Sequence, residues 1–64
     1  MDYRIVKGKK NRFTDGQYEY DLIFSPDEKG WYFERYPNWN TSQLFSTIGE
    51  ALKALKYDQI VWKG

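Results

Sequence analysis

Period-two alternation runs through residues 17–24 (QYEYDLIF). Tyr18, Tyr20, Leu22 and Phe24 fall on one side, and Glu19, Asp21 and Ile23 on the other. That period predicts a half-buried β-strand. Asp15-Gly16 just before it is a hairpin signal, because a type I′ turn needs positive φ at both central positions. Residues 3–7 (YRIVK) predict another strand, and Gly8 marks a candidate bulge that returns Tyr3 and Ile5 to the aromatic side. SPDEKG, residues 25–30, reads as a turn by composition, and WYFERY, residues 31–36, as the next strand. Pro37 and the asparagines of PNWNTS, residues 37–42, predict a loop. QLF at 43–45 and DQIVW at 58–62 read as short strands. Over 47–57 the period changes: Ile48, Ala51, Leu52 and Leu55 recur at i, i+3, i+4 and i+7, the apolar stripe of a helix. Thr47 caps it, with Glu50 placed to reach back to the Thr47 amide, and Lys53 and Lys56 suit the dipole near its end. A helix of about ten residues is marginal alone, so it must lie on the aromatic face of the sheet. The predicted class is α+β, an antiparallel sheet of three to five strands with one α-helix packed on one face, in a single domain over 1–64.

A two-residue turn at Asp15-Gly16 implies a register. Thr14 faces Gln17, Phe13 faces Tyr18, Arg12 faces Glu19 and Lys10 faces Asp21, and each opposite-charge pair contributes about 0.2–1 kcal/mol. The next hairpin aligns Phe24 with Trp31, Leu22 with Phe33 and Tyr20 with Arg35. Trp31 and Phe33 therefore join Leu22 and Phe24 beneath the helix. Tyr32 and Tyr36 point the other way, and Trp39 sits in a loop. One helix cannot cover both faces, so the second carries Lys10, Arg12, Glu19, Asp21, Ile23, Tyr32, Glu34 and Tyr36.

Composition narrows the chemistry. The chain has 64 residues with no Cys and no His, which removes disulfides, thiolate and imidazole catalysis, and the usual zinc sites. A core this small must rely on large side chains, and aromatics make up 20% of the chain, each burying about 150–250 Å². No apolar run is long enough to span a bilayer, and no leader precedes the first strand, which points to the cytosol. Net charge is only +1, but it is unevenly placed. Residues 1–13 hold Arg4, Lys7, Lys9, Lys10 and Arg12 against Asp2, a balance of +4. Residues 14–30 hold Asp15, Glu19, Asp21, Asp27 and Glu28 against Lys29, a balance of −4. The carboxylate pairs Asp27/Glu28 and Glu19/Asp21 fall in a turn and on a solvated strand face with basic partners opposite, not in the shielded setting that a catalytic carboxylate requires. Ser42 and Ser46 have no partner base, and there is no Gly-rich phosphate loop. The expectation is a chain that is not an enzyme, with no cofactor, no metal and no small-molecule substrate.

Two functional readings follow. The first is a non-catalytic interaction module that binds a protein partner, or itself as a homodimer, through the open sheet face. Tyr32, Tyr36, Ile23 and Trp39 are its apolar anchors, with Glu34 and Asp21 setting register, because aromatic rings in a mixed-charge field fit a protein interface. The alternative is nucleic-acid binding by the basic segment Lys7, Lys9, Lys10 and Arg12, with Trp39 or Tyr36 stacking on bases. Against it, Glu19, Asp21 and Glu34 would repel phosphate.

The stretch IFSPDEKGWY followed by STIGEALKAL resembles the N-terminal domain of HicB-type antitoxins over residues 23–55. The likeness rests on Asp27, Glu28, Gly30 and Trp31, then Pro37, then Thr47, Glu50, Ala51 and Leu52. It implies an antitoxin-like fold that binds a partner protein. LFSTIGEALKAL is also similar to the strand-to-helix junction in the arm-binding domains of tyrosine integrases, which implies a sheet that reads DNA.

Overall fold

The computed structural model describes residues 3–8 and 11–63. Lys9 and Lys10 of the basic segment lie outside the described residues. Six strands form one open antiparallel sheet in sequence order: β1 (Arg4–Ile5), β2 (Arg12–Thr14), β3 (Glu19–Ser25), β4 (Gly30–Tyr36), β5 (Asn40–Ser42) and β6 (Trp62–Lys63). A helix, α1 (Ile48–Lys56), interrupts the meander between β5 and β6. The α+β class is as the patterning predicts, with one more strand than the upper limit of five.

The β3–β4 hairpin is the spine, and its register is the one predicted: Tyr20 opposite Arg35, Leu22 opposite Phe33 and Phe24 opposite Trp31. The core gathers on its helix side. Tyr20, Leu22 and Phe33 are buried against Ala51 and Leu55, ringed by Tyr3, Phe13, Tyr18, Trp31, Phe45, Leu52, Ile60 and Trp62. Thr47 caps α1, its hydroxyl oxygen accepting the Glu50 amide at 3.1 Å. The buried helix face is Ala51, Ala54 and Leu55, turned toward Ala54 from the predicted stripe, so that Ile48 is left 42% exposed. Small alanines at the contact let the helix approach the bulky rings below, an arrangement the apolar spacing did not anticipate.

Other expectations are corrected. At Asp15-Gly16 the register is Thr14 opposite Glu19, Phe13 opposite Tyr20 and Arg12 opposite Asp21, two residues from the one predicted. Only Gly16 of the pair has positive φ, +91°, so no type I′ turn forms. The Asp15 carboxylate accepts the amides of Gln17 at 2.9 Å and Tyr18 at 2.7 Å, and the Thr14 hydroxyl donates to the Tyr18 carbonyl at 2.8 Å. Side-chain bonds of this Asx kind outcompete the tight turn and lengthen it to four residues. A slip of two preserves the faces, so the sorting of core from open side survives.

Gly8 lies in a turn with φ +80° rather than in a strand bulge. Tyr3 does reach the core, with its ring edge-on to Phe13 at 5.7 Å, but Ile5 stays 72% exposed on the sheet edge. Phe24, at the turn end of its hairpin, is 48% exposed and leans only on Trp31, 5.1 Å between centroids. The strand predicted at 43–45 is a single bridge, Phe45 to Trp31, while the strand itself forms at Asn40–Ser42 inside the predicted loop. It forms there by pairing on both sides, with β4 through Asn40 and Thr41 and with β6 through Thr41 and Ser42, and the Ser42 hydroxyl accepts the Phe33 amide at 2.8 Å. The last strand begins only at Trp62.

Candidate functional site

Strand alternation places one set of side chains away from α1. Cross-strand pairing aligns Arg12, Asp21, Glu34, Thr41 and Lys63 as one row across the sheet. A second row runs Arg4, Thr14, Glu19 and Tyr36, and Ile23 faces Tyr32 in a third. These rows contain the predicted open-face residues Asp21, Ile23, Tyr32, Glu34 and Tyr36.

Arg12 is the electrostatic centre. Its Nε and Nη2 donate to the two carboxylate oxygens of Asp21 at 2.5 and 2.7 Å, and Nη1 donates to Glu19 Oε1 at 3.2 Å. The guanidinium also lies over the Tyr36 ring, 5.2 Å from its centroid. Such a bidentate fork is the strongest form of charge-assisted pair. It raises the guanidinium's pKa above its ordinary value, the Asp21 hydrogen bond being the main cause. The predicted pairing with Glu19 is present, but as the secondary contact.

Trp39 was expected in a loop, and there it is. Strand β4 ends at Tyr36, Pro37 follows, and the chain turns back through Trp39 into β5. Trp39 has φ +61°, uncommon for a bulky residue. Its side chain is not folded away: the residue is 66% exposed. The indole meets Tyr36 nearly edge-on, with centroids 5.1 Å apart and planes at 71°. The Tyr36 hydroxyl donates to Glu34 Oε1 at 2.7 Å, and its pKa is pushed up to about 12, chiefly by that bond. Around these rings runs an open groove of about 450 Å³ lined by Arg12, Gln17, Glu19, Tyr36, Pro37 and Trp39.

Tyr32 and Ile23 lie elsewhere on the same face. Tyr32 lines a separate hollow of about 260 Å³ with Ser25, Glu28, Thr41, Ser42, Leu44 and Lys63. The structure thus joins Tyr36, Trp39, Glu34, Asp21 and Arg12 in one place and sets Tyr32 and Ile23 apart. Lys7 is exposed in the β1–β2 turn. Gln17 and Pro37, read from the sequence only as a register partner of Thr14 and as a loop residue, were not expected to line a binding site. The Asx turn that brings Gln17 to the groove has its only advance signal in Asp15.

A second cation sits on the helix side. Arg35 is held between the rings of Tyr18 and Trp62, 4.7 and 4.5 Å from their centroids, and Nη2 donates to Asn40 at 3.3 Å. Its buried Nε has no partner among the described residues. Arg35 was expected only as the neighbour of Tyr20. The Tyr20 hydroxyl donates to Asp15 Oδ2 at 2.6 Å.

Among the described residues, no helix is long and apolar enough to cross a membrane. No family model, no curated protein and no solved structure matches this chain.

Proposed function

We propose that this chain is a small non-catalytic interaction module that binds a protein partner, or a second copy of itself, through the open face of its sheet. The observation that carries the reading is Trp39, a large ring kept two-thirds exposed on a left-handed backbone beside Tyr36 and an open groove. Left-handed backbone costs an L-residue about 1–2 kcal/mol, and strain of this kind clusters at binding sites. Tyr and Trp are also the rings enriched at protein interfaces. The likeness to antitoxin N-terminal domains points the same way.

Nucleic acid is the weaker reading because Arg12 is already engaged by Asp21 and Glu19, and both carboxylates face the groove side of the sheet. The test is selection from a random-peptide display library followed by NMR titration. Enriched peptides should shift amides around Tyr36 and Trp39, and the paired change Tyr32→Ala with Tyr36→Ala should abolish their binding. Random-sequence DNA and RNA at low salt should leave the spectrum unmoved. Shifts along residues 7–12 with nucleic acid, removed by Lys9→Glu with Lys10→Glu and steeply salt-dependent, would reverse the assignment. Sedimentation of the purified chain at high concentration decides the self-association version, which a monomer would discard.

A further inference from the structure

We infer that Arg12 is a positioning residue for the binding face: its guanidinium, gripped by Asp21, fixes the plane of the Tyr36 ring and, through that ring, the exposed Trp39 indole; this rests on the module reading above.

The indole has little else to hold it. Trp39 stands in the turn between β4 and β5 and is 66% exposed. Its left-handed backbone, φ +61°, sets where the side chain starts but not how the indole turns. Among the described residues the indole donates no hydrogen bond, and Tyr36 is the one ring it meets, nearly edge-on with centroids 5.1 Å apart. An edge-to-face contact depends on the angle between the two ring planes. Trp39 is therefore held only as firmly as the plane of Tyr36 is.

Tyr36 is tethered at its tip, where the hydroxyl donates to Glu34 Oε1 at 2.7 Å. The hydroxyl oxygen lies on the axis that runs from Cβ through the ring. Rotation about that axis leaves the bond in place, so the tether fixes where the ring ends but not its plane. A flat group laid over the ring supplies the missing restraint. That group is the Arg12 guanidinium, 5.2 Å from the Tyr36 centroid, in a seat that cation–π attraction favours.

Arg12 suits this task because it is itself anchored. Its Nε and Nη2 donate to the two oxygens of Asp21 at 2.5 and 2.7 Å, and Nη1 donates to Glu19 Oε1 at 3.2 Å. A bidentate fork fixes orientation as well as position. Arg12 and Asp21 are direct cross-strand partners, as are Glu19 and Tyr36. The guanidinium thus starts on β2, takes its hold on β3 and delivers it to a ring on β4. A lysine would keep the charge but not the plane.

Nitrogen-15 relaxation of the tryptophan indoles tests this in the free chain. Trp31, packed on Phe24, and Trp62, packed on Tyr20, serve as internal controls. In Arg12→Lys the Trp39 order parameter should fall below about 0.6, the flexible range, with the other two indoles unchanged. Tyr36→Leu, which removes the relay ring and leaves the Arg12 fork in place, should loosen Trp39 in the same way. Binding is read by fluorescence polarisation of the peptide most enriched by display against the wild-type chain. Arg12→Lys should weaken it roughly two- to tenfold, the cost of ordering a side chain on binding. An unchanged Trp39 order parameter would overturn the inference, and a weakened peptide alongside it would mean that Arg12 touches the peptide itself. Equal loosening of all three indoles would assign Arg12 a general structural role instead. A loosened Trp39 with undiminished affinity would also overturn the positioning role. Failure of display to enrich any peptide, with a monomer in sedimentation and Trp39 alone loosened, would overturn the module reading and leave the hold of Arg12 on the two rings standing.

Discussion

Gly30 opens β4, and its role is packing rather than turning. It is not among the glycines with positive φ; the left-handed residue of that turn is Lys29, φ +53°. A Cβ added at Gly30 would lie 2.7 and 2.9 Å from Leu44 Cγ and Cδ2, and 2.9 Å from the Phe45 carbonyl oxygen. The leucine is partly exposed and can rotate away. The carbonyl cannot: it accepts the Trp31 amide at 2.8 Å, while the Phe45 amide donates back to Trp31 at 2.7 Å. Gly30→Ala must therefore stretch this two-bond bridge or bend the start of β4. Overpacking of this kind costs about 1–3 kcal/mol. The unfolded chain loses freedom on gaining a methyl, which offsets about 0.4–1 kcal/mol. A net loss of about 1–2 kcal/mol should lower the melting temperature of so small a domain by roughly 5–15 °C. Thermal melts by circular dichroism would measure it, with urea unfolding to confirm an unchanged slope. Adding Leu44→Ala removes the contacts to the leucine but not the one to the carbonyl, so a double-mutant cycle should recover only part of the loss. A Gly30→Ala protein as stable as wild type would refute the close approach and, with it, the Phe45 bridge.

Three further outcomes are expected. Burial alone would raise the Asp15 pKa, but bonds from the Tyr18 amide, the Tyr20 hydroxyl and the Gln17 amide outweigh it and lower the net value. Its folded-state stabilisation is therefore present above the unfolded carboxylate pKa and is lost as pH falls through the depressed folded value. Asp15→Asn should cost about 1–2 kcal/mol at neutral pH and flatten the acid limb of a urea-midpoint-against-pH curve. Tyr20 is shifted the other way, first by burial and then by its bond to Asp15. Its contribution is complete below the ordinary phenol pKa and fades as pH rises toward the higher folded value, so Tyr20→Phe should soften the alkaline loss of stability. Arg35→Lys should destabilise by about 1–2 kcal/mol in chemical denaturation, because an ammonium cannot stack as a plane between Tyr18 and Trp62.

The fold was legible where the pattern was long. Seven-residue strands with distinct faces leave one register for β3 and β4, and it is the one observed. It was illegible where one side chain decided the backbone. Nothing in Asp15-Gly16 as a pair says that the carboxylate will take two amides and push the register on by two. Helix burial was half legible. The stripe marks which face turns inward, but the sheet's bulk selects Ala54 over Ile48 at the contact. Of the candidate site, the outward direction of Tyr32 and Tyr36 follows from alternation alone. That Trp39 meets Tyr36 does not, because it depends on a left-handed residue closing the loop between β4 and β5. The Arg35 sandwich needed Trp62, which reaches it by the pairing of β6 with β5, a contact between segments that α1 separates in the chain.

The open face has its rings at two stations on one strand, with the charged row between them. Tyr32 and Tyr36 are four residues apart on β4, about 13 Å at the rise of a strand. An extended peptide of similar length laid along β4 spans the same distance, so both stations are reachable by one ligand. A peptide too short to span them engages only the Tyr36–Trp39 groove, and its affinity should be indifferent to Tyr32→Ala. Lengthening it toward the Tyr32 hollow should add affinity that Tyr32→Ala then removes, because the second contact is made at high effective concentration once the first is formed. Polarisation titrations of a peptide series against wild type and Tyr32→Ala would trace that divergence. Curves that stay parallel at every length would mean that the two hollows never share a ligand, and the interface would shrink to the groove around Trp39.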